Sequence, residues 1–173
     1  IGNYGTIGNI TGDFIENYAD SSRSSGGAIY NNDSGTIGDI TGDFIGNYAN
    51  SSGSYPYGES YAYGGAIDNS YGGTIGDISG DFIGNYAKSE NGEAKGGAIY
   101  NRGTIGDITG DFISNGNAID NSGTIGNITG DFISNKGEAI DNSGTIGNIA
   151  GDFIANTNDY FGAICNNGNI GDI

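Results

Sequence analysis

Leucine, valine, methionine, tryptophan, histidine and glutamine are absent from this chain, which has one cysteine, one proline and five cations among 173 residues. Each gap excludes something. Without leucine or methionine, and with 36 glycines, no stretch presents the apolar stripe of a packed helix, since each interior glycine costs a helix about 1 kcal/mol. Without histidine, and with Cys165 alone, the usual nucleophile–base pairs have no members and no internal disulfide can form. The cations Arg23, Lys88, Lys95, Arg102 and Lys136 are scattered, and 21 acids leave a net charge of −16. Nucleic-acid binding needs clustered Lys and Arg on phosphates, so that partner is excluded. No apolar run approaches the ~20 residues of a membrane span. The chain begins without methionine, which reads as a processed chain or a fragment.

What is present is repetition. The block GTIGDITGDFISNGNAIDNS, Gly103 to Ser122, recurs from starts at Gly5, Gly35, Gly73, Gly103, Gly123, Gly144 and Gly168. Self-similarity at 20 to 38 residues is the mark of a solenoid or propeller. All length variation falls between the Phe-Ile-x-Asn and Ala-Ile segments, as expected for loops leaving one corner of a repeated coil. The longest excursion, Tyr48 to Tyr63, holds Pro56 and five tyrosines.

Within a copy, Ile105 and Ile108 cannot both point inward from one straight strand, because strand faces alternate. Gly106-Asp107 is therefore a bend. Ile108 to Ile113 reads as a second strand, with Ile108, Gly110 and Phe112 on one face, and Ala118 to Asn121 as a third. The expected fold is all-β: a parallel β-solenoid of triangular section, about three short strands and 20 residues per minimal rung, with rungs stacked about 4.8 Å apart. Residues 1–173 form one domain of six full rungs, uncapped at both ends.

Stacking explains the monotony, because each inward residue packs on copies of itself. The β-branched Ile suits such a surface. Phe14, Phe44, Phe82, Phe112, Phe132 and Phe153 form an expected inner ladder beside the Ile columns. The column Ile15, Ile45, Ile83, Ile113, Ile133 and Ile154 then falls at a bend or a lateral contact. Asn17, Asn47, Asn85, Asn115, Asn135 and Asn156 form one amide ladder, and Asn31, Asn69, Asn101, Asn121, Asn142 and Asn166 a second. Their amides are expected to bond neighbouring rungs and turns.

Asp13, Asp43, Asp81, Asp111, Asp131 and Asp152 also align. Like charges one rung apart repel by about 0.9 kcal/mol in water and about 3.5 at an effective dielectric of 20. These carboxylates must face solvent, accept turn amides or be bridged by cations. Calcium is the natural bridging ion, with its six to eight oxygen ligands, although the calcium nonapeptide GGxGxDxUx does not occur. No other cofactor is implied. Enzymes need a local exception to the repeat, and the exceptions, Glu16, Asp33, Glu59, Glu90, Glu93 and Glu138, are isolated acids, so no catalytic role is expected. Cys165 takes a position elsewhere held by Tyr or Asp, read as outward and tolerant. The loop tyrosines Tyr55, Tyr57, Tyr61 and Tyr63 have the composition of a partner-binding loop; a surface loop packed on its own tyrosines is the other reading.

The tetrapeptide GGAI, at 26–29, 64–67 and 96–99, and the six Phe-x-x-Asn segments resemble the paired repeats of chlamydial-type polymorphic outer-membrane proteins. More broadly they are similar to Gly/Asn-rich passengers of bacterial autotransporters. That resemblance implies a right-handed parallel β-helix on the bacterial cell exterior, often adhesive and sometimes self-associating. The last residues, Asn169 to Ile173, stop within a rung, and Ile1-Gly2-Asn3-Tyr4 matches Ile45-Gly46-Asn47-Tyr48. On that match a second subunit resumes the coil four residues later, giving end-to-end self-association into a filament. The alternative is an adhesin whose corner loops contact host protein or glycan.

Overall fold

The computed structural model describes residues 1–52 and 60–173. The short copies show the unit most simply. One coil holds four strands, Ile119–Asn121, Thr124–Ile125, Ile128–Thr129 and Phe132–Ile133. Each pairs in parallel with its counterpart one copy on, as in Ile119↔Ile140, Thr124↔Thr145, Ile128↔Ile149 and Phe132↔Phe153. Among the described residues the Ile-x-Asn and Thr-Ile strands build seven-stranded sheets, and the Ile-Thr and Phe-Ile strands six-stranded ones. The chain is a parallel β-solenoid.

The strands are this short because a corner interrupts the coil every few residues, and two corners share one chemistry. At Gly106-Asp107 the Asp107 amide donates to Asp77 Oδ1 of the preceding rung at 2.8 Å, and Asp107 Oδ1 accepts from the Asn127 amide at 2.7 Å. A Cβ on Gly126 would collide with that Asp107 oxygen. Glycine is thus what lets the acid of one rung sit over the backbone of the next. The same ladder recurs at Gly110-Asp111, where the Asp111 amide donates to Asp81 Oδ1 at 2.8 Å and Asp131 repeats the bond to Asp111.

That second ladder corrects the three-strand expectation. Ile108 to Ile113 is two strands, Ile108–Thr109 and Phe112–Ile113, broken at Gly110-Asp111. The section has four strand-bearing sides instead of three. Alternation could not reveal this, because a two-residue corner preserves the parity of Ile108 and Phe112.

Inside, Ile37, Ile40, Phe44 and Ile67, with their counterparts in the interior rungs, are fully buried in one cluster. Successive Phe rings from Phe14 to Phe153 stack with centroids 4.8 Å apart and planes within 5°. Strand spacing imposes that separation, which lies within the favourable range for aromatic contacts.

Both asparagine ladders are bonded from rung to rung, and their interior members are buried. Asn115 Nδ2 donates to the Phe82 carbonyl at 2.8 Å and to Asn135 Oδ1 at 3.1 Å, while its Oδ1 accepts from the Asn85 amide at 2.9 Å. In the other ladder Asn101 Nδ2 reaches Asn121 Oδ1 at 2.8 Å and the Thr124 carbonyl at 3.1 Å. Unpaired buried amides would cost about 1–3 kcal/mol each, so the ladder is what makes these corners tolerable.

The amino terminus falls in a different register from the sequence match. Gly2 pairs with Tyr30 and Asn3 with Asn31, and Asn3 Nδ2 donates to Asn31 Oδ1 at 2.9 Å. Ile1 to Asn3 thus belong with the Ile-x-Asn strands, not with Ile45-Gly46-Asn47. The deciding feature is the short step from Asn3 to Gly5, which copies Asn121 to Gly123. A coil resumed at Ile1 after Ile173 would lack counterparts of positions 129 to 139, a much larger step than four residues.

Candidate binding cleft

The insertions of the first three copies are not separate loops. Each leaves and returns as a pair of short strands: Tyr18–Asp20 with Arg23–Ser25, Tyr48–Ser51 with Tyr61–Tyr63, and Tyr86–Ser89 with Glu93–Lys95. The outgoing strands form one parallel sheet and the returning strands another, each three-stranded among the described residues. Their register carries the solenoid's stacking into an arm, with Tyr48 paired to Tyr18 and Tyr86, and Ala62 paired to Ser24 and Ala94. Ala49, Ala62 and Ala87 form a small buried cluster of their own. Small residues are required where two backbone legs lie this close. On the other side of the outgoing leg Tyr18, Tyr48 and Tyr86 stack at 5.7 and 5.8 Å.

The arm explains the GGAI motif. A Cβ on Gly65 would overlap the Gly97 carbonyl oxygen and crowd the Tyr86 backbone, where the next outgoing leg departs. Copies four to six lack the arm, and there the second glycine of the motif is Asn117, Glu138 or, with the first replaced, follows Phe161.

The returning leg lies against the outward face of the Ile-x-Asn sheet. The column there runs Tyr30, Asp68, Tyr100, Asp120, Asp141, Cys165. It points away from the solenoid core, but the arm covers part of it, so it is not uniformly exposed. Asp68 is fully buried and Asp120 is 7% exposed, whereas Cys165 beyond the arm is half-buried. Burial is the main cause that pushes Asp68 up to about 6, with nearby Ser25 and Arg102 pulling the other way. Neither Asp68 oxygen has a hydrogen-bond partner of good geometry among the described residues. Burial likewise pushes Asp120 up to about 7, opposed by Lys95 and reinforced by Asp141, Glu93 and Glu138.

Where the returning leg meets this column, a cleft of about 330 Å³ is lined by Arg23, Ser24, Ser25, Tyr30, Tyr61, Tyr63 and Arg102. Tyr63 stacks on Tyr100 at 4.6 Å and its hydroxyl donates to Glu93 at 3.1 Å. Burial and Glu93 hold the Tyr63 phenol well above its ordinary pKa. The Arg102 guanidinium lies 4.8 Å from the Tyr71 ring centre, 5.1 Å from Tyr100 and 5.9 Å from Tyr63. Arg23 lies 5.5 Å from the ring of Tyr61. The two arginines that look scattered in the sequence thus meet across one cleft. No sequence signal pairs them, because the register across an insertion is not fixed by the repeat.

Of the expected loop tyrosines, Tyr61 and Tyr63 line the cleft; Tyr55, Tyr57 and the acid Glu59 lie outside the described residues. The interior Phe and Asn ladder residues are buried, Phe14, Phe153 and Asn156 are half-buried, and Asn17 is exposed. The ladder Ile15 to Ile154 faces outward on the Phe-Ile side, half-buried in the interior rungs and 54% and 46% exposed at Ile15 and Ile154. The Asp columns are ordered by the amide donors described above. Among the described residues no three His, Cys, Asp or Glu side chains group so as to hold a metal ion. No helix among them is long and apolar enough to cross a membrane.

No family model, curated protein or solved structure matches the chain.

Proposed function

We propose that this protein is a structural subunit of an extracellular scaffold or filament on a bacterial surface, built by stacking solenoids end to end. The observation that carries the reading is the continuity of the ladders, in which each interior rung presents the same Ile, Phe and Asn partners to the next. Phe44, Phe82, Phe112 and Phe132 are completely buried, each stacked between the rings of the rungs on either side. Solenoid ends expose strand edges and an apolar layer, a template for further rungs. In such an assembly the parallel sheets of one solenoid run on into those of the next. The likeness of GGAI and Phe-x-x-Asn to bacterial surface β-helix repeats supports the cell-exterior placement, and the repeat leaves no reason to assign catalysis.

The test is intact-mass spectrometry of the protein from its source, combined with negative-stain microscopy. A polypeptide near 17.6 kDa in fibrous material supports assembly. A much larger chain, or short dispersed rods at high concentration, overturns it.

A second reading has its own support in the arm. Its stacked tyrosines and the cleft beneath its returning leg suit a contact surface for a partner protein or glycan. Copies four and five show that a coil closes without an arm. Replacing each of the first three insertions by the short Asn115-to-Ala118 link should therefore leave a folded solenoid. Loss of surface attachment in that variant supports the reading, and unchanged attachment overturns it.

A further inference from the structure

The geometry points to a docking site for an extended acidic peptide segment, which adds as a further strand to the open edge of the arm beside Tyr86–Ser89. The site deepens the contact-surface reading of the arm and rests on it. Three independent features converge there. The first is an unpaired edge. Among the described residues Tyr86–Ser89 and Glu93–Lys95 are end strands of the arm's two sheets, each paired on one side only. The Tyr86 amide donates back to the Asn47 carbonyl at 3.0 Å and the Glu90 amide to the Ser51 carbonyl at 3.1 Å. Backbone groups alternate in direction along a strand, so the N–H and C=O of Ala87 and Ser89 turn to the free edge. Copy four does not fill it, because its link closes at the corner, where the Gly116 amide meets the Asn85 carbonyl at 3.0 Å.

The second is room. Copies four and five carry no arm, and the edge overlooks a trough of two hollows, about 290 and 450 Å³, that share Lys136 and Gly137. Tyr86, Ala87 and Ala94 stand on the arm side, and Thr157 to Tyr160 of the copy-six insertion on the other. Three rung steps separate the two walls, about 14 Å at strand spacing, which admits an added strand. The arm's small inward column is also unfinished here. Ala49 and Ala62 are fully buried, but Ala94 is exposed. A small residue on the added strand covers Ala87 and Ala94 together.

The third is charge. In a chain of net −16, all three lysines gather at this place: Lys88 on the edge strand, Lys95 at the end of the returning leg and Lys136 on the floor. Lys95 is paired with Glu93 at 3.0 Å. Lys88 and Lys136 are exposed and have no ion-pair partner among the described residues. Of the nearby acids, Glu138 accepts from the Asn117 amide at 3.2 Å and Asp159 stands on the far wall. Lysine on an edge strand repels a like edge, which argues against a second copy of this arm as the occupant. A carboxylate opposite Lys88 turns that repulsion into attraction. The segment that fits is therefore small–acidic–small in extended form, with main-chain bonds giving affinity and the alternate side chains specificity.

Fluorescence anisotropy tests the site, with the full chain titrated to millimolar concentration into a labelled hexapeptide of alternating alanine and aspartate. The comparison probes are the alanine–lysine hexapeptide and an alanine–aspartate hexapeptide N-methylated along its backbone. The first peptide is expected to bind, and both comparison probes to bind at least about tenfold more weakly. Lys88→Glu, on an exposed position, is expected to keep its melting temperature, lose about tenfold for the aspartate peptide and prefer the lysine peptide. No anisotropy change with the aspartate peptide overturns the proposal. So does equal binding of the lysine peptide, which would remove the charge recognition, or of the N-methylated peptide, which would remove the strand pairing. Unchanged affinity in Lys88→Glu at an unchanged melting temperature also overturns it. If these fail while the armless variant still loses surface attachment, the edge is wrong and the arm reading stands.

Discussion

Neighbouring residues at the Phe-Ile-x-Asn corner do opposite work. Asn115 is fully buried and joins three rungs through its amide, so Asn115→Leu orphans the Phe82 carbonyl and the Asn85 donors together. At about 1–3 kcal/mol per orphaned group, a loss of about 3–5 kcal/mol is expected. Ser114 is exposed, with φ of 53°; Ser114→Leu should cost less than about 1 kcal/mol, because the strain is already present. Equal effects on the melting temperature would refute the inward ladder. The same corner is taken by Gly46 and Gly84 at φ of 61° and 63°. Ser114→Gly should therefore stabilise, by about 0.5–1 kcal/mol once the backbone entropy of glycine is subtracted. The variability of this position reads as tolerance in the sequence, and its left-handed conformation is invisible there because Ser, Glu and Ala occupy it as well as Gly.

Burial of the outward acid column also sets a pH dependence. Asp68 and Asp120 have folded values of about 6 and about 7, above the ordinary carboxylate value, with desolvation the leading cause in both. Between pH 4 and 7 the folded chain holds protons that the unfolded chain has released. Stability from these groups is thus complete near pH 4 and falls as pH rises through 6 and 7. Asp120→Asn should raise the melting temperature at pH 8, by an effect on the order of 2–3 kcal/mol, and flatten its slope between pH 5 and 7. A slope unchanged by the substitution would mean that general repulsion among the acids produces it.

At the scale of the element, the solenoid strands were legible and the arm was not. Ile and Phe at fixed offsets from each Gly-Asp define an inward set, and insertion at one place defines one corner. The fourth strand was hidden because Gly110-Asp111 turns without changing the alternation, yet its likeness to Gly106-Asp107 was a usable signal. The arm escaped notice because Tyr-Ala-Asp, Tyr-Ala-Asn and Tyr-Ala-Lys are short, polar and of unequal insert length; only their stacking, Ala19 under Ala49 under Ala87, makes them strands. GGAI carried the information in disguise, since its second glycine at Gly27 and Gly65 sits where the next outgoing leg departs. Gly65→Ala is therefore expected to destabilise by several kcal/mol, roughly 3, through backbone overlap with Gly97. Asn117→Ala, at the matching armless position, should stay within about 1 kcal/mol. Denaturant midpoints decide this, and a harmless Gly65→Ala would remove the crossing from the explanation.

For the whole molecule, each rung offers the next the same Ile, Phe and Asn partners, which the proposed end-to-end assembly would use. Acidic corners do not oppose this strongly, because each carboxylate accepts the amide of the following rung at 2.7 to 3.1 Å. The proposed assembly has a definite direction. If solenoids join end to end, their strands lie across the filament and the rungs repeat along it. X-ray diffraction from oriented fibres of the purified protein measures that directly. The account predicts a reflection at the ring-stack spacing of 4.8 Å on the meridian, parallel to the fibre axis. The same reflection on the equator would show solenoids packed side by side across the axis, and would contradict end-to-end assembly.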